Sequence, residues 1–509
     1  MGGDYVLGID CGTSAVKAAV WNPSGEMKGF GRRSLEILNP KPSFYEQDAE
    51  SWVLGTYGAV RQAIGSAERD HGVPPGSIGA LSISHQRESF VPAAQSPIGN
   101  ALLWMDERAG GSLKELAALI DPERFRAATG KALSANLSYA KLAWLKRNQP
   151  ELFSSAEIFL DTHAYVMRAL TGEAVTGLGS ADPTGLFDMK ERRWSGEILD
   201  SIGLDEGKLP RVAAPGTTAG TLTKDAACAC GLPPGIPVAV GLGDGQSAGL
   251  GCGIMEPGES YLSLGTSIVS GTFSREYLTG SDFRISFGGV ENSYFLETVI
   301  LGGAFTVDWF LSRFCTEGEE PALRREAAAI GPGAEGLMLV PYWSSAMNPY
   351  WDPSARGITV GWTPSHGKSH FYRAILEGLA FEQRLHTDGV EKALSGAGSK
   401  PISGYVVTGG GAGNELWLQI IADVTGRTVR KAAVAEAGCL GAGMLAAPSA
   451  GLYSDVLSAA AGMSGRDGGE TEPDPGSQCV YGELFNTVYS SLYPLLSESM
   501  KALNRIQLR

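Results

Sequence analysis

The chain is short of basic residues. Its 41 Lys and Arg stand against 55 Asp and Glu, a formal net charge of −14, and no Lys/Arg tract offsets the balance. An acidic surface of this kind argues against nucleic acid and anionic membrane as partners. It leaves room for an anionic ligand, because one pocket can be locally positive. Long apolar runs are missing as well: nothing reaches the roughly 18 consecutive apolar residues that mark a membrane span. The opening MGGDYVLGIDCG has neither the basic segment nor the long apolar core of a secretion signal. Val6 stands where an N-acylation motif needs Ser or Thr. Cysteine is sparse, seven residues in 509, an odd number without regular spacing. A chain this long needs no disulfide staples, so reduced thiols in a cytoplasmic protein fit best. Cys228 and Cys230 have no second Cys/His pair at ligand spacing, which argues against zinc there.

What is present is a foldable composition, 43% hydrophobic and 19% charged. Its length predicts two or more domains. The 69 glycines cluster in short runs between apolar stretches, where backbone must turn tightly or lie close to a ligand. Tyr5–Ile9 and Val16–Trp21 are short apolar runs separated by Gly12, and a turn at 22–25 leads into a third, which predicts a β-meander. ALSIS (80–84) and PVAVGLGDG (237–245) read as further strands, and residues 142–145 lie on a helix. This alternation indicates α/β architecture. The triplet GTS occurs at 12–14 and again at 265–267, each time between β-like residues and about half the chain apart. That echo suits two related domains meeting over one cleft, residues 1–254 and 255–450. Within the second, GYVVT (404–408) is a strand, and Trp417, Ile420, Ile421 and Val424 follow helical spacing. Residues 463–477 read as a flexible loop, and a last amphipathic helix near 480–505 packs residues 451–509 onto the body.

Four motifs carry candidate chemistry. In DCGTSAVK (10–17), Gly12 lets backbone amides approach phosphate, Thr13 and Ser14 can donate, Lys17 adds a cation and Asp10 can hold Mg²⁺. An ordinary β-turn is the plainer alternative. In GLGDGQSAG (241–249), Asp244 follows an apolar strand between two glycines, a placement that suits a general base and equally a turn aspartate. Its glycines miss the dinucleotide-binding spacing. SLGTS (263–267) offers a second phosphate hairpin with Gly265 and Thr266. TGGGAGNELWLQ (408–419) places Gly410 and Gly411 before a helix N-terminus, where a flat ligand can lie on bare backbone. Asn414 there is either the helix N-cap or a ligand contact. GWTPSHGKS (361–369) fails as a P-loop because five residues, not four, separate its glycines, and His366 with His370 lacks a third zinc ligand.

Taken in order, these motifs resemble the FGGY carbohydrate kinases. YEQDAESW (45–52), ISHQRES (83–89), ALLWMDERA (101–109), SYAKLAWLKRN (138–148) and the stretch from GWTPSH to HFYRAILEG (361–378) are similar to further family elements. Asn136 departs from the pattern two residues before Ser138. The resemblance implies two actin/hexokinase-like (ribonuclease H-like) α/β domains around a central cleft, ATP and Mg²⁺ as cofactors, and a small sugar or polyol as substrate. It implies Asp244 as general base, Asp10 as Mg²⁺ ligand, and phosphate or nucleotide contacts from Gly12, Thr13, Ser14, Lys17, Gly265, Thr266, Gly410, Gly411 and Asn414. Arg87, Glu88, Trp104, Asp106, Tyr139 and Gln246 fall at positions that line the substrate site. Relatives are often dimers or tetramers, so a homodimer is the expected assembly.

The substrate signals conflict. HQRES resembles the Asn-Gln-Arg-Glu of glycerol kinases, and an Arg-Glu pair can bracket vicinal hydroxyls. Yet Gly245 follows the candidate base where glycerol kinases usually have Gln, and SLGTSIVSG with GWTPSH looks closer to xylulokinases. Those usually carry Met-His where Arg87 and Glu88 stand. A ketopentose such as xylulose is the first expectation, with glycerol or another polyol as the alternative. A non-enzymatic actin-like ATP-binding protein would share the nucleotide motifs but not HQRES and WMDER.

Overall fold

The computed structural model describes residues 3–465 and 469–507. Tyr5–Cys11, Ala15–Trp21 and Met27–Ser34 form an antiparallel meander, as the apolar runs and intervening turns predict. Ile78–His85 joins the free edge of Tyr5–Cys11 in parallel, and Pro237–Gly243 joins Ile78–His85 in parallel. Thr218–Thr221 completes this sheet of six strands.

A second sheet repeats the plan. Glu259–Leu264, Ile268–Ser274 and Tyr294–Ile300 make the meander. Gly404–Thr408 and then Thr428–Lys431 extend it in parallel. Arg284–Phe287 and Glu470–Thr471 add one strand at each end. The GTS echo therefore marks equivalent hairpins: 12–14 and 265–267 each join the first two strands of a meander.

The first sheet is apolar on both faces because both are covered. Val6, Leu7, Ile9 and Cys11 are fully buried. Helix Glu50–His71 packs on one side and helix Ala437–Ala446 on the other. The second helix lies so close that a Cβ on Gly8 would stand 1.8 Å from the Cys439 carbonyl oxygen. A helix from late in the sequence thus closes the first sheet.

The sequence expectation of a flexible loop over 463–477 needs correction. Residues 466–468 lie outside the described residues. Beyond them, Glu470 and Thr471 pair with Arg430 and Val429, and a helix already begins at Pro475, capped by Asp474. Helical structure then runs on to Gln507 with one wide turn at Phe485–Tyr489. Tyr481, Phe485 and Tyr489 lay their rings against Phe381 of helix Lys368–Gly396, which fixes this terminal segment to the second half of the molecule. Among the described residues no helix is long and apolar enough to cross a membrane.

Candidate active site

A cavity of about 250 Å³ opens where the two sheets face each other. Asp10, Lys17, Arg87 and Asp244 line it from the first half of the chain, and Ser263, Thr408 and Gly409 from the second. Asp10 sits near the end of its strand, opposite Lys17 in the hairpin register. The Ser84 hydroxyl of the neighbouring strand donates to Asp10 Oδ1 over 3.1 Å. Asp244 is the first residue of helix Asp244–Gly251, directly after strand Pro237–Gly243. Gly243 is the N-cap between the two, where a Cβ would stand 2.4 Å from Arg87 Cδ, so Asp244 is delivered to the cavity mouth beside Arg87. The Gly245 amide donates back to Asp244 Oδ1 at 2.8 Å.

Two carboxylates share this space, and their charges interact. Burial first, and then the charge of Asp244, push the Asp10 carboxyl up to about 6, against the pull of Lys17 and Ser84. A bound cation would relieve that crowding, so the residues present fit a divalent metal.

Behind Asp244 runs a chain of buried charges. Arg87 Nε donates to Asp244 Oδ1 at 2.9 Å, and Arg87 Nη1 lies 2.9 Å from Glu297 Oε2. Arg284 pairs with the same Glu297 through Nε at 2.6 Å and reaches Glu88 Oε1 through Nη1 at 2.8 Å. Burial works against ionising Glu297, but Arg284 and Arg87 outweigh it and hold the carboxyl down to about 2. Arg87 and Glu88 come from the first half of the chain, and Arg284 and Glu297 from the second. The chain of charges therefore crosses the cleft.

Gly245 is a consequence of this packing. A Cβ there would stand 2.7 Å from Glu297 Oε2, 2.9 Å from the Tyr261 hydroxyl and 3.2 Å from Arg87 Nη2. The ion pairs occupy the space a longer side chain would need.

Lys17 reaches the cavity, but its ammonium is paired with Glu436 at 2.7 Å. The Thr13 hydroxyl donates to Gln86 Oε1 at 3.2 Å and accepts from Trp104 Nε1 at 2.9 Å, which ties the first hairpin to the HQRES and WMDER segments. Gly12 and Ser14 sit in the same hairpin turn, Ser14 exposed. Gly265 and Thr266 form the second turn, braced by amides of Ala304 and Phe305 on their carbonyls. Gly410 and Gly411 follow Gly409 at the end of strand Gly404–Thr408. Asn414 caps helix Glu415–Thr425, accepting from the Trp417 amide, and its Nδ2 donates to the Tyr372 hydroxyl at 2.9 Å.

Three residues expected at the substrate site are turned away from the cavity. Asp106 is fully buried, and both its oxygens are used: Oδ1 accepts from Arg108 Nε at 2.8 Å, and Oδ2 from the Tyr45 amide at 2.7 Å. Tyr139 packs on Phe125, and its hydroxyl meets Ser201 at 3.0 Å. On helix Ser138–Asn148 it is Ser138 and Lys141 that point toward the HQRES loop, and Tyr139 is one helical step off that face. Gln246 is fully buried and donates to the Gly179 carbonyl at 3.0 Å.

Sequence reasoning passed over Glu297, Arg284 and Glu436. For Glu297 a signal existed: it is the one charged residue in the mainly apolar strand YFLETVI, where burial of a carboxylate demands a partner. Glu436 has no such local mark.

Residues 5–251 match the N-terminal domain of the FGGY family of carbohydrate kinases, and residues 260–450 match its C-terminal domain. The chain belongs to the FGGY family of carbohydrate kinases. It is a phosphotransferase with an alcohol group as acceptor, on the two-domain actin/hexokinase-like α/β fold of that family. Among its relatives, a xylulose kinase of Bacillus subtilis (strain 168) is 30% identical over 461 residues, covering 89% of each chain. A glycerol kinase of a Polaromonas species (strain JS666) is 30% identical over 481 residues, covering 89% of this chain and 93% of the relative. A solved structure described as a xyloylose kinase from Brucella ovis superposes with a TM-score of 0.87 at 27% identity, covering 97% of this chain and 99% of the other. The xylulose kinase structure from Rhodospirillum rubrum gives the same TM-score at 24% identity over 98% of this chain and all of the other, a likeness of fold.

Proposed function

We propose that this kinase transfers the γ-phosphate of Mg·ATP to a hydroxyl of a ketopentose of the xylulose type, in the cytoplasm. The observation that carries the reading is the placement of Asp10 and Asp244 on one cavity lined from both halves of the chain. Phosphoryl transfer passes through a loose transition state, so the protein contributes mainly position and charge neutralisation. Asp244 orients the acceptor hydroxyl and takes its proton. Arg87 fixes the Asp244 carboxylate in place through the bond to Oδ1. Asp10 holds Mg²⁺, which when bound neutralises phosphate charge. The two GTS hairpins and the turn at Gly409–Gly411 receive the phosphates and the nucleotide on bare backbone. Glu88, with one oxygen held by Arg284, offers the other to a substrate hydroxyl, and Trp104 walls the carbon chain.

Gly245 favours a ketopentose. The Arg87–Glu297 pair fills the space beside the base, so the contact a longer side chain would give a triol is absent. The neighbouring Arg87 and Glu88 favour the second reading, glycerol or another polyol, and relatives of both names are equally similar.

The test is ADP release with Mg·ATP against D-xylulose, L-xylulose, D- and L-ribulose, glycerol, erythritol, gluconate and L-fuculose, with Asp244→Asn as blank. The expected result is one ketopentose far above the rest. Glycerol or erythritol as the strong responder selects the second reading, and no response above the blank removes both.

A further inference from the structure

Glu88 has a backbone that its own chemistry does not favour. Its φ is +55°, in the left-handed region that a residue with a Cβ enters only when its surroundings impose it. Its carbonyl oxygen accepts two hydrogen bonds from one helix: Ser138 Oγ donates at 2.9 Å and Lys141 Nζ at 2.8 Å. The same ammonium also donates to the Leu103 carbonyl at 2.7 Å. Leu103 precedes Trp104, whose amide donates to Ser89 Oγ at 3.0 Å. One cation thus ties together the two segments that carry Glu88 and Trp104.

Lys141 is fully buried. An ammonium removed from water costs stability unless its hydrogen bonds are replaced, and here main-chain carbonyls replace them. Burial pushes its ammonium down to about 7, against the pull of Asp106 and Glu88. A hydrophobic side chain would fill this interior position at less cost, but it would take one donor from each carbonyl, leaving Glu88 with Ser138 Oγ alone and Leu103 with the Asp106 amide alone. On the other side of the loop, Arg284 fixes the Glu88 carboxylate.

We propose that Lys141, assisted by Ser138, is a positioning residue for acceptor recognition: it holds Glu88 in the left-handed conformation in which its carboxylate sits on Arg284, ready for the acceptor contact proposed above. This rests on the reading of Glu88 as an acceptor contact. Lys141 touches neither reactant and acts through Glu88.

The test is steady-state kinetics with D-xylulose and glycerol as acceptors, varying acceptor and ATP separately. Lys141→Met keeps the stem and removes the donors. It should raise the acceptor KM about tenfold or more, the scale of a lost charged hydrogen bond, with the ATP KM unchanged. Ser138→Ala, a milder change, should raise the acceptor KM about threefold. If either residue matters only for folding, the active fraction falls while both KM values stay as in wild type, and the inference is overturned. A cycle with Glu88→Ala separates the two levels. Lys141→Met should add almost nothing to the acceptor KM in the Glu88→Ala background. The same increase with and without Glu88 would mean Lys141 acts elsewhere, which overturns the inference and leaves the role of Glu88 standing. If Glu88→Ala alone leaves the acceptor KM unchanged, or wild type turns over neither acceptor, the underlying reading falls and takes the inference with it.

Discussion

Arg87 donates from Nε to Oδ1 of Asp244 over 2.9 Å, while buried Glu297 holds the opposite side of the same guanidinium. The candidate base is thus fixed by a cation whose charge is already balanced from behind. Glu297→Gln would leave Arg87 and Arg284 buried side by side without their shared counter-charge. Breaking a buried ion pair on one side costs about 3–5 kcal/mol. The expected outcome is a marked fall in thermal midpoint by circular dichroism, and a wild-type midpoint would show that the network carries no net stabilisation.

Asp244→Asn keeps the shape of the side chain and removes its ability to take a proton. A positioned general base is worth about 10²–10⁴ in rate, so turnover should fall by that factor. Nucleotide affinity, read by calorimetry, should stay near wild type, because the phosphate hairpins are untouched. Near-normal turnover would remove Asp244 from the role.

Gly245→Ala puts a methyl group 2.7 Å from Glu297 Oε2 and 2.9 Å from the Tyr261 hydroxyl. Both neighbours are fully buried, so neither can swing away freely. Overpacking of this kind costs about 1–3 kcal/mol. Urea denaturation should show that loss, and acceptor turnover should fall with it because Arg87 is displaced from Asp244. A neutral effect on both would mean the network gives way at no cost.

His85 and His163 meet edge to face in the interior with ring centroids 5.5 Å apart, their ring nitrogens occupied. Gly241 N donates to His163 Nε2 at 2.9 Å, and Nδ1 donates to the Val175 carbonyl at 3.1 Å, a neutral tautomer. Burial pushes His85 down to about 4, and burial with the neighbouring His85 pushes His163 down to about 3. The unfolded chain takes up these protons near 6.5 and the folded chain does not, so stability falls as pH drops below 6.5 and continues to fall toward 4. Each histidine contributes a slope on the order of 1.4 kcal/mol per pH unit in that window. Asp10 and Asp161, both raised to about 6 by burial, act in the opposite sense below pH 6. The measurement is therefore a comparison: the urea midpoint of His163→Gln should change less between pH 7 and pH 5 than that of wild type. Equal changes would mean that His163 takes up its proton in the folded state.

Much of this was legible in the sequence because it is written in local chemistry. The meander follows from apolar runs broken at Gly12 and 22–25, and Asp10 and Asp244 stand at the ends of strands whose apolar character is unmistakable. The GTS echo marked the two hairpins because each sheet needs the same tight turn between its first two strands. Other features depend on distance along the chain. Nothing near Tyr139 says that it faces Phe125 while its neighbours Ser138 and Lys141 face the HQRES loop; that depends on how helix Ser138–Asn148 is rotated against the body. Nothing near Asp106 says that Arg108 and Tyr45 consume its oxygens.

The order of strands and glycine turns, and the residue types at each turn, were thus determined by the sequence alone, since periodicity and turn chemistry act over a few residues. The pairing of Arg87 and Glu88 with Glu297 and Arg284, some 200 positions later, was decided only by the tertiary structure. A buried charge takes whichever partner the packing brings to it, and no local pattern records which one that is.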